Sequence, residues 1–307
     1  MQLLISPNQV SYVPGRNISD NVMIAPEMLF KFKKSKGKQG FFAWKIDLSK
    51  AYDRLSGNFI EMVMYEAKFP RTLVKLIMHC VTSTSFQICE LTSYFMAKRG
   101  IRQGDPLSPY IFVLCMEMLS HLVQCVVEYG HWKSVNASQS GPRISHLFFA
   151  DDLMLFAEAT DHQAYGLKTC LDNFCVISGQ IISYEKSLIF CSPNTPKTMA
   201  SSISATCGSP LTSDLGKYLG MRLIQSRVNK HTYDAIFDKV QSRLSSWKSK
   251  ALNMAGRLTL IQSVTSAIPN YAMQTTKFPV SLCDRLDKLN RNFLWGDVDD
   301  KKKVPIW

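Results

Sequence analysis

The chain has 307 residues, of which 46% are hydrophobic, and a formal net charge of +12 at pH 7. This length exceeds one typical domain, and the apolar content is ample for a buried core. Residues 226–307 carry 14 Lys and Arg against 7 Asp and Glu, so more than half of the positive excess lies in the last quarter. A basic surface attracts nucleic-acid phosphates without sequence preference, although many basic proteins bind nucleic acid only nonspecifically.

Cysteine usage and apolar patterning argue against other classes. None of the nine cysteines forms a C-x-x-C pair, so a zinc site is not supported. Most lie among apolar residues, which predicts reduced thiols in an intracellular protein, nuclear or cytoplasmic and not secreted. The N-terminus shows no signal segment. The apolar run 109–129 is interrupted by Glu117, His121 and Gln124, which predicts a buried core helix and no membrane span.

Helical and strand-like patterns alternate through the first third of the chain. Lysines between positions 31 and 38 predict a basic connecting loop that contains glycine. An apolar, aromatic run from Phe41 then predicts a strand that ends at Asp47. Helices are predicted over 58–65 and 71–82, and a β-hairpin over 85–97.

A glycine- and proline-rich loop, RGIRQGDPLSP, follows at 99–109. Glycine lets the backbone approach a ligand closely, and Pro109 is well placed near the first turn of the next helix. Arg99 and Arg102 suit phosphates, while Gln103 can hydrogen-bond a sugar or a base edge. In isolation, the loop is only a weak indication of ligand binding.

Two adjacent carboxylates, Asp151 and Asp152, interrupt an apolar run at 147–156. Ionised carboxylates are costly to bury without a partner, so the pattern predicts two core strands joined by a tight turn that carries the acids. Mg²⁺ takes hard oxygen ligands and leaves positions open for substrate phosphates, so a metal site is one interpretation. The other is a turn with two solvated aspartates, which these residues alone support equally.

Asp47 favours the metal-site interpretation, because a third acid at a strand end could complete a metal site with Asp151 and Asp152. Three carboxylates can hold two metal ions roughly 3.5–4 Å apart, the arrangement used for in-line phosphoryl transfer. Taken alone, Asp47 is better explained as a strand-end or helix-capping residue.

The remaining patterns are mostly helical. One helix is predicted to stop at Gly179, and three amphipathic helices are predicted in the last quarter. Their apolar stripes cover 233–247, 258–268, ended by Pro269, and 282–294. The whole pattern predicts an α+β fold, in which an antiparallel sheet with helices on one face precedes a helical bundle.

Several segments together closely resemble the reverse transcriptase domain of plant LINE-type (non-LTR) retrotransposons. The longest are KIDLSKAYDR at 45–54, RGIRQGDPLSP at 99–109 and ISHLFFADD at 144–152. Shorter ones are SPNQ at 6–9, PGRNISDN at 14–21, SGQ at 178–180, KS at 186–187, KYLG at 217–220 and AGR at 255–257. They occur in the family's order over essentially the whole chain, which is far more specific than a lone Ala-Asp-Asp.

The resemblance implies a right-hand polymerase, with partial fingers at 1–40, a palm at 41–224, and a helical thumb with the start of a connection region at 225–307. The family's catalytic acids match Asp47, Asp151 and Asp152, which would hold two Mg²⁺ ions, or Mn²⁺ in their place. Lys186 resembles a lysine proposed to protonate the leaving pyrophosphate, although a solvated lysine explains it nearly as well.

The resemblance also implies how substrates bind. Tyr52 resembles the side chain that blocks a ribose 2′-hydroxyl, although without the family match a core tyrosine would be preferred. The implied partners are an RNA template, a DNA primer and deoxynucleoside triphosphates, with protein partners unknown. The residues that match the incoming-nucleotide pocket are Arg102, Gln103 and Gly104. Those that match the primer grip are Tyr218, Leu219 and Gly220.

Two functions from different classes follow. One is an RNA-directed DNA polymerase, which transfers a nucleotide to a primer 3′-hydroxyl. The other is a catalytically inactive retrotransposon remnant that binds nucleic acid, because the chain starts after the family's basic fingers segment, as expected of an N-terminally truncated copy. A two-metal nuclease is less well supported, because it would need neither the pocket loop nor the thumb. Arg16, in a fingers motif, is explained comparably by a template or triphosphate contact and by a surface salt bridge.

Overall fold

The computed structural model describes residues 3–83, 85–87, 93, 95–96, 98–138, 141–223, 233–245, 251–273 and 277–295. The chain divides into two compact units, Met1–Gln225 and Ser226–Trp307. The first unit combines helices with an antiparallel sheet, and the described part of the second is helical.

The first unit contains both kinds of element in mixed order. Its helices are α1 (Ile18–Lys34), α2 (Ala51–Arg54), α3 (Gly57–Glu66), α4 (Arg71–Thr82), α5 (Ser108–Glu128), α6 (Asp161–Ser178) and α7 (Lys197–Cys207). Its strands are β1 (Phe41–Ile46), β2 (Ser85–Phe86), β3 (Phe95–Met96), β4 (Val135–Asn136), β5 (Arg143–Ile144), β6 (His146–Phe149), β7 (Asp152–Glu158), β8 (Leu188–Cys191), β9 (Lys217–Tyr218) and β10 (Met221–Arg222).

The predicted boundaries agree with these elements except near the N-terminus. The helix predicted over 71–82 coincides with α4, and α6 ends where Gly179 adopts φ +80°. Part of the hairpin predicted over 85–97 lies outside the described residues. The loop predicted from Lys31 was wrong in its first residues, because α1 continues to Lys34. Buried Phe32 holds this last turn, where lysines also complement the helix dipole.

A four-stranded sheet with the order β6-β7-β1-β8 forms the centre of the first unit. All its pairs are antiparallel, and β1 is hydrogen-bonded on both sides. The β1–β7 register runs from Phe41 opposite Glu158 to Ile46 opposite Leu153. This register determines which residues meet where the two central strands reach the end that carries the acids.

Both faces of this sheet are covered, which explains why its central strands are almost wholly apolar. On one face, Trp44 and Leu155 pack in a cluster with residues of α3, α5 and α6. On the other, Ala43 and Phe156 pack with Phe32 and other residues of α1. The expectation of helices on one face only was therefore wrong, because the apolar side of α1 buries the second face.

Helix α5 is long and apolar enough to cross a membrane by length and composition. In the structure, however, 56% of its apolar window is buried inside the protein. Its residues Phe112, Met116 and Leu119 are fully enclosed in the core. A helix that packs on a sheet in this way is the core helix that the sequence predicted.

The second unit contains helices α8 (Asp234–Ser245), α9 (Met254–Leu260), α10 (Ala267–Met273) and α11 (Val280–Trp295), with a π-helix at Ile261–Thr265. The predicted stop at Pro269 was wrong, because α10 continues past it. Pro269 is the third residue of α10, where a missing N–H breaks no bond within that helix. Trp247 of the first predicted stripe lies outside the described residues.

A buried polar group anchors the N-terminal segment to α5. Glu117 is 3% exposed, and its Oε1 accepts a hydrogen bond from the Ser6 N–H at 2.9 Å. Burial raises the pKa of Glu117 from 4.5 to about 7, and the hydrogen bonds from Ser6 and the charge of Arg16 oppose this rise. Ionisation of Glu117 is therefore more costly in the folded protein than in the unfolded chain.

This shift gives stability a pH dependence with a defined sign. Because the pKa of Glu117 is raised on folding, its contribution to the free energy of unfolding is largest below pH 4.5. That contribution is lost as the pH rises through about 7. Glu117→Gln keeps an acceptor for Ser6 and cannot ionise. Between pH 5 and 8, the variant is expected to lose about 2 kcal/mol less stability than the parent chain.

Urea denaturation at several pH values would measure this difference. Glu128→Gln, which alters an exposed acid on the same helix, is the matched control and should leave the pH dependence unchanged. Parallel stability–pH curves for Glu117→Gln and the parent chain would contradict the assignment.

Candidate active site

A two-residue turn carries the acidic pair to the edge of the core. Phe149 at the end of β6 pairs with Asp152 at the start of β7, so Ala150 and Asp151 form the turn between them. Ala150 has φ +51°, in the left-handed region, and is buried, whereas Asp151 is exposed. The predicted hairpin with acids at its tip is therefore present.

Asp47 reaches the same place along the neighbouring strand. The last β1–β7 pair joins Ile46 to Leu153, so continuing the register by one residue places Asp47 beside Asp152. The Asp47 backbone is held on its other side, because its N–H donates to Ser187 Oγ at 3.1 Å and its carbonyl accepts from Ser183 N–H at 2.9 Å. The Asp47 side chain remains exposed.

Asp152 lies within the electrostatic field of both Asp151 and Asp47. Burial raises the pKa of Asp152, and the negative charges of Asp151 and Asp47 raise it further, against the opposing effect of Lys45. Burial lowers the pKa of Lys45, while Asp152 and Asp47 act to raise it. Lys45 Nζ also donates to the Lys217 carbonyl, which ties β1 to the β9–β10 hairpin.

The chemistry of this donor set fits a divalent cation, since hard carboxylate oxygens gather where two strands end. The negative charges of Asp151 and Asp47 both act on the half-buried Asp152 and help to raise its pKa. In the described part of the chain, no three His, Cys, Asp or Glu side chains converge closely enough to hold a metal ion directly. The structure thus brings Asp47, Asp151 and Asp152 together without forming a closed coordination shell.

Tyr52 lies beside the acids with its ring fixed. The ring stacks on Phe112 with centroids 4.6 Å apart and an interplanar angle of 8°. Burial, followed by the influence of Tyr12 and Asp151, raises the pKa of Tyr52 to about 12. The ring is therefore a neutral, half-buried surface next to the acidic turn.

The predicted pocket loop packs against the helix that carries Tyr52. Ile101 N–H donates to the Tyr52 carbonyl at 2.9 Å, and Gly100 N–H donates to the Leu55 carbonyl at 2.8 Å. Gly100 has φ +88°, and a Cβ at this position would lie 2.7 Å from the Asp53 carbonyl oxygen. Close backbone packing of this kind requires glycine. Arg102, Gln103 and Gly104 are among the residues that the loop leaves exposed.

The other predicted residues have different surroundings. Lys186 is exposed and immediately precedes Ser187, which holds Asp47. Tyr218 is 1% exposed and lies within electrostatic reach of Asp152, so its phenol ring is enclosed while the hairpin tip at Leu219 and Gly220 is more accessible.

The Arg16 side chain is bound to the backbone of the N-terminal segment, and its contact with a template or triphosphate stays a prediction. Its Nη2 donates to the Ile5 carbonyl at 2.7 Å, and its Nη1 donates to the carbonyls of Ser6 and Gln9. The guanidinium therefore fixes the N-terminal backbone.

The sequence did not indicate the residues that fix the backbone next to the acids. Ser183 and Ser187 bind the Asp47 backbone, and the Gln180 side-chain amide donates to the Ala51 carbonyl at 2.7 Å. Lys45 had a usable signal, because it is a cation two residues before Asp47 in a strand and hence on the same face. The serines had none, because their contacts are distant in sequence.

Comparison with known proteins identifies the family. The model of the reverse transcriptase (RNA-dependent DNA polymerase) family matches residues 1–223. The chain therefore belongs to the reverse transcriptase family, with its α+β polymerase fold, and members of this family generally use divalent metal ions.

Individual relatives support the retrotransposon type. A putative ribonuclease H protein of Arabidopsis thaliana is 47% identical over 83 residues, which are 27% of this chain and 13% of that protein. The Pol polyprotein of a type-2 retrotransposable element of Drosophila melanogaster is 25% identical over 98% of this chain and 28% of its own length. The expected LINE-type reverse transcriptase is confirmed, and the plant origin of the element stays a prediction.

This chain thus spans less than a third of either relative. Among solved structures, telomerase from Candida albicans in complex with a fragment of telomeric RNA aligns with 94% of this chain and 48% of its own. The sequence identity is 13% and the TM-score 0.46, values too low to carry an argument.

The close packing at Gly100 predicts a large effect of a single methyl group. Gly100→Ala combines an unfavourable φ with a clash against the Asp53 carbonyl, and should destabilise the protein by about 2 kcal/mol or more. Gly104→Ala separates the two effects, because Gly104 has φ +91° and open space around its Cβ position. Thermal denaturation of both variants measures the difference, and equal losses would show that the contact with Asp53 contributes nothing.

Proposed function

We propose that this chain is an RNA-directed DNA polymerase domain that extends a primer 3′-hydroxyl by two-metal nucleotidyl transfer. The observation that carries this proposal is the β1–β7 register, which sets Asp47 beside Asp152 at the acidic turn. In the polymerase, residues 1–40 contribute to the fingers, residues 41–224 form the palm that contains the sheet, and residues 225–307 form the helical thumb with the start of a connection region. The proposed location is intracellular, in the nucleus or cytoplasm.

Different residues of the chain are proposed to bind the metal ions, to offset the negative charge of the acids and to donate a proton. Asp47, Asp151 and Asp152 would hold two Mg²⁺ ions, or Mn²⁺ in their place. Bound there, such ions would supply activation of the attacking hydroxyl and neutralisation of charge on the leaving pyrophosphate. Lys45 offsets part of the acids' negative charge before ligands bind. Lys186 is proposed to donate a proton to the leaving group.

Substrate contacts surround the acids. The exposed loop of Arg102, Gln103 and Gly104 lies on the side of Tyr52, where it can receive the phosphates and base of a deoxynucleoside triphosphate. The β9–β10 tip, held to β1 by Lys45, is proposed to contact the DNA primer. The net charge of +12 favours binding of an RNA template and primer through their phosphates.

Removing one acid should abolish extension without unfolding the site. Asp47→Asn, Asp151→Asn and Asp152→Asn are each expected to reduce primer extension on an RNA template by more than about 100-fold, beyond the usual effect of outer-shell changes. The reason is loss of a charged metal ligand. Binding to primer–template, measured by fluorescence anisotropy, should persist and weaken with salt.

Asp161→Asn removes an exposed acid at the start of α6 and serves as the charge control. Wild-type extension by Asp151→Asn would disprove the metal-site assignment. No extension by the parent chain, with salt-sensitive binding retained, would establish the alternative function of a nucleic-acid-binding remnant.

Tyr52 provides a separate test of substrate choice. Its fixed ring is proposed to exclude a ribose 2′-hydroxyl, so Tyr52→Val should raise ribonucleotide incorporation relative to deoxynucleotide incorporation by about 10-fold or more. Tyr52→Phe keeps the ring and should keep the discrimination. The ratio of kcat/KM for the two nucleotide classes is the measurement, and an unchanged ratio in Tyr52→Val would remove Tyr52 from this role.

A further inference from the structure

We infer that Gln9 and Ser11 are positioning residues that hold the Asp151–Asp152 turn in its metal-binding shape. This inference rests on the proposed function, because it takes those two acids as metal ligands. We call the pair of acceptors, Gln9 Oε1 and Ser11 Oγ, the turn clamp. Neither side chain is placed to touch a substrate, since Gln9 and Ser11 are 1% and 2% exposed.

The turn clamp acts on one backbone group. Ala150 N–H donates to Ser11 Oγ at 2.8 Å and more weakly to Gln9 Oε1 at 3.3 Å. The two acceptors are themselves linked, because Ser11 Oγ–H donates to Gln9 Oε1 at 2.8 Å and Ser11 N–H donates to it at 3.1 Å. Three donors thus converge on one amide oxygen and fix the orientation of the Gln9 side chain.

That orientation is kept although it leaves another group unsatisfied. Gln9 Nε2 is buried and has no hydrogen-bond partner among the described residues. A buried donor without a partner is costly, so the contacts of Oε1 must outweigh this cost. The position of the Gln9 amide is therefore determined by its contacts with Ser11 and with the Ala150 turn.

The turn needs outside support because its backbone is strained. Ala150 has φ +51°, a conformation that Cβ sterics disfavour for every residue except glycine. Such conformations persist only where the surroundings over-determine them, and they concentrate at functional sites. The next two residues are Asp151 and Asp152, so any relaxation of Ala150 would move both carboxylates.

The segment that carries the turn clamp is itself anchored to the sheet. Gln9 forms a parallel bridge with Phe148 of β6, where Val10 N–H donates to the Phe148 carbonyl at 3.3 Å and Phe148 N–H donates to the Asn8 carbonyl at 2.8 Å. Arg16 binds the carbonyl of Gln9. Ser6 is bound to Glu117 of α5. The turn clamp is therefore fixed to the same strand and core helix that support the acids.

These contacts give the N-terminal SPNQ motif and Arg16 a shared role in fixing the acidic turn. Groups that orient metal ligands typically contribute 10–100-fold to metal affinity or activity. Ser11→Ala removes the shorter of the two bonds to Ala150 N–H. We therefore expect the Mg²⁺ concentration for half-maximal primer extension to rise about tenfold. Extension at saturating Mg²⁺ and the Kd for primer–template should stay close to parental values.

Ser209→Ala is the matched control. Ser209 is also 2% exposed, and its hydroxyl accepts a hydrogen bond from Trp44 Nε1 at 3.1 Å, away from the acids. Its loss should lower Tm comparably and leave the Mg²⁺ dependence unchanged. Ser11→Thr keeps the hydroxyl and should restore metal affinity. If Ser11→Ala does not fold, Ser11→Cys takes its place in the experiment. A cysteine fills the space of the serine side chain, but its sulfur is only a weak hydrogen-bond acceptor.

Direct Mn²⁺ binding, followed by electron paramagnetic resonance, gives a readout that does not need catalysis. Weaker Mn²⁺ binding by Ser11→Ala than by Ser209→Ala supports the turn clamp. Parental Mn²⁺ and Mg²⁺ dependence in Ser11→Ala, with extension abolished in Asp151→Asn, would overturn the clamp and leave the polymerase proposal intact. Parental extension by Asp151→Asn would instead overturn the proposed function.

Discussion

The antiparallel register between β1 and β7 is the constraint on which the rest of the site depends. It pairs Ile46 with Leu153, and one further step places Asp47 beside Asp152. A shift by one residue would turn Asp47 to the opposite face and exchange the side chains that β1 packs against the two buried layers. Because both faces of this sheet are buried, the packing that stabilises the core also determines where the acids meet.

The acids then need a backbone that holds them against their own repulsion. Asp47 is held by Ser183 and Ser187 on one side, while the Ala150 turn is held by the turn clamp on the other. These supports come from segments more than a hundred residues apart in the chain. In the first unit, the carboxylates thus lie at the ends of the central strands. Each of these strand ends is fixed by hydrogen bonds to a segment that is distant in sequence.

Close packing between backbone segments also shapes the surroundings of the acids. Gly100 lets the pocket loop approach the Asp53 carbonyl, and this approach leaves Gln103 and Gly104 exposed next to the Tyr52 helix. Tyr52 is fixed by stacking on Phe112 of α5. The buried helix α5 therefore supports both the aromatic surface at the site and, through Glu117, the N-terminal segment that bears the turn clamp.

Periodicity in the sequence determined the α+β class, the hairpin at Asp151–Asp152 and the helix that ends at Gly179, because these depend on local patterns of apolar residues and turns. The order of the motifs indicated the family by resemblance. Only the tertiary structure showed that α1 covers the second face of the sheet, that Pro269 lies within the first turn of a helix, and that Arg16 binds backbone carbonyls. It alone connected Ser11 to Ala150, because hydrogen bonds between distant segments leave no periodic trace in a sequence.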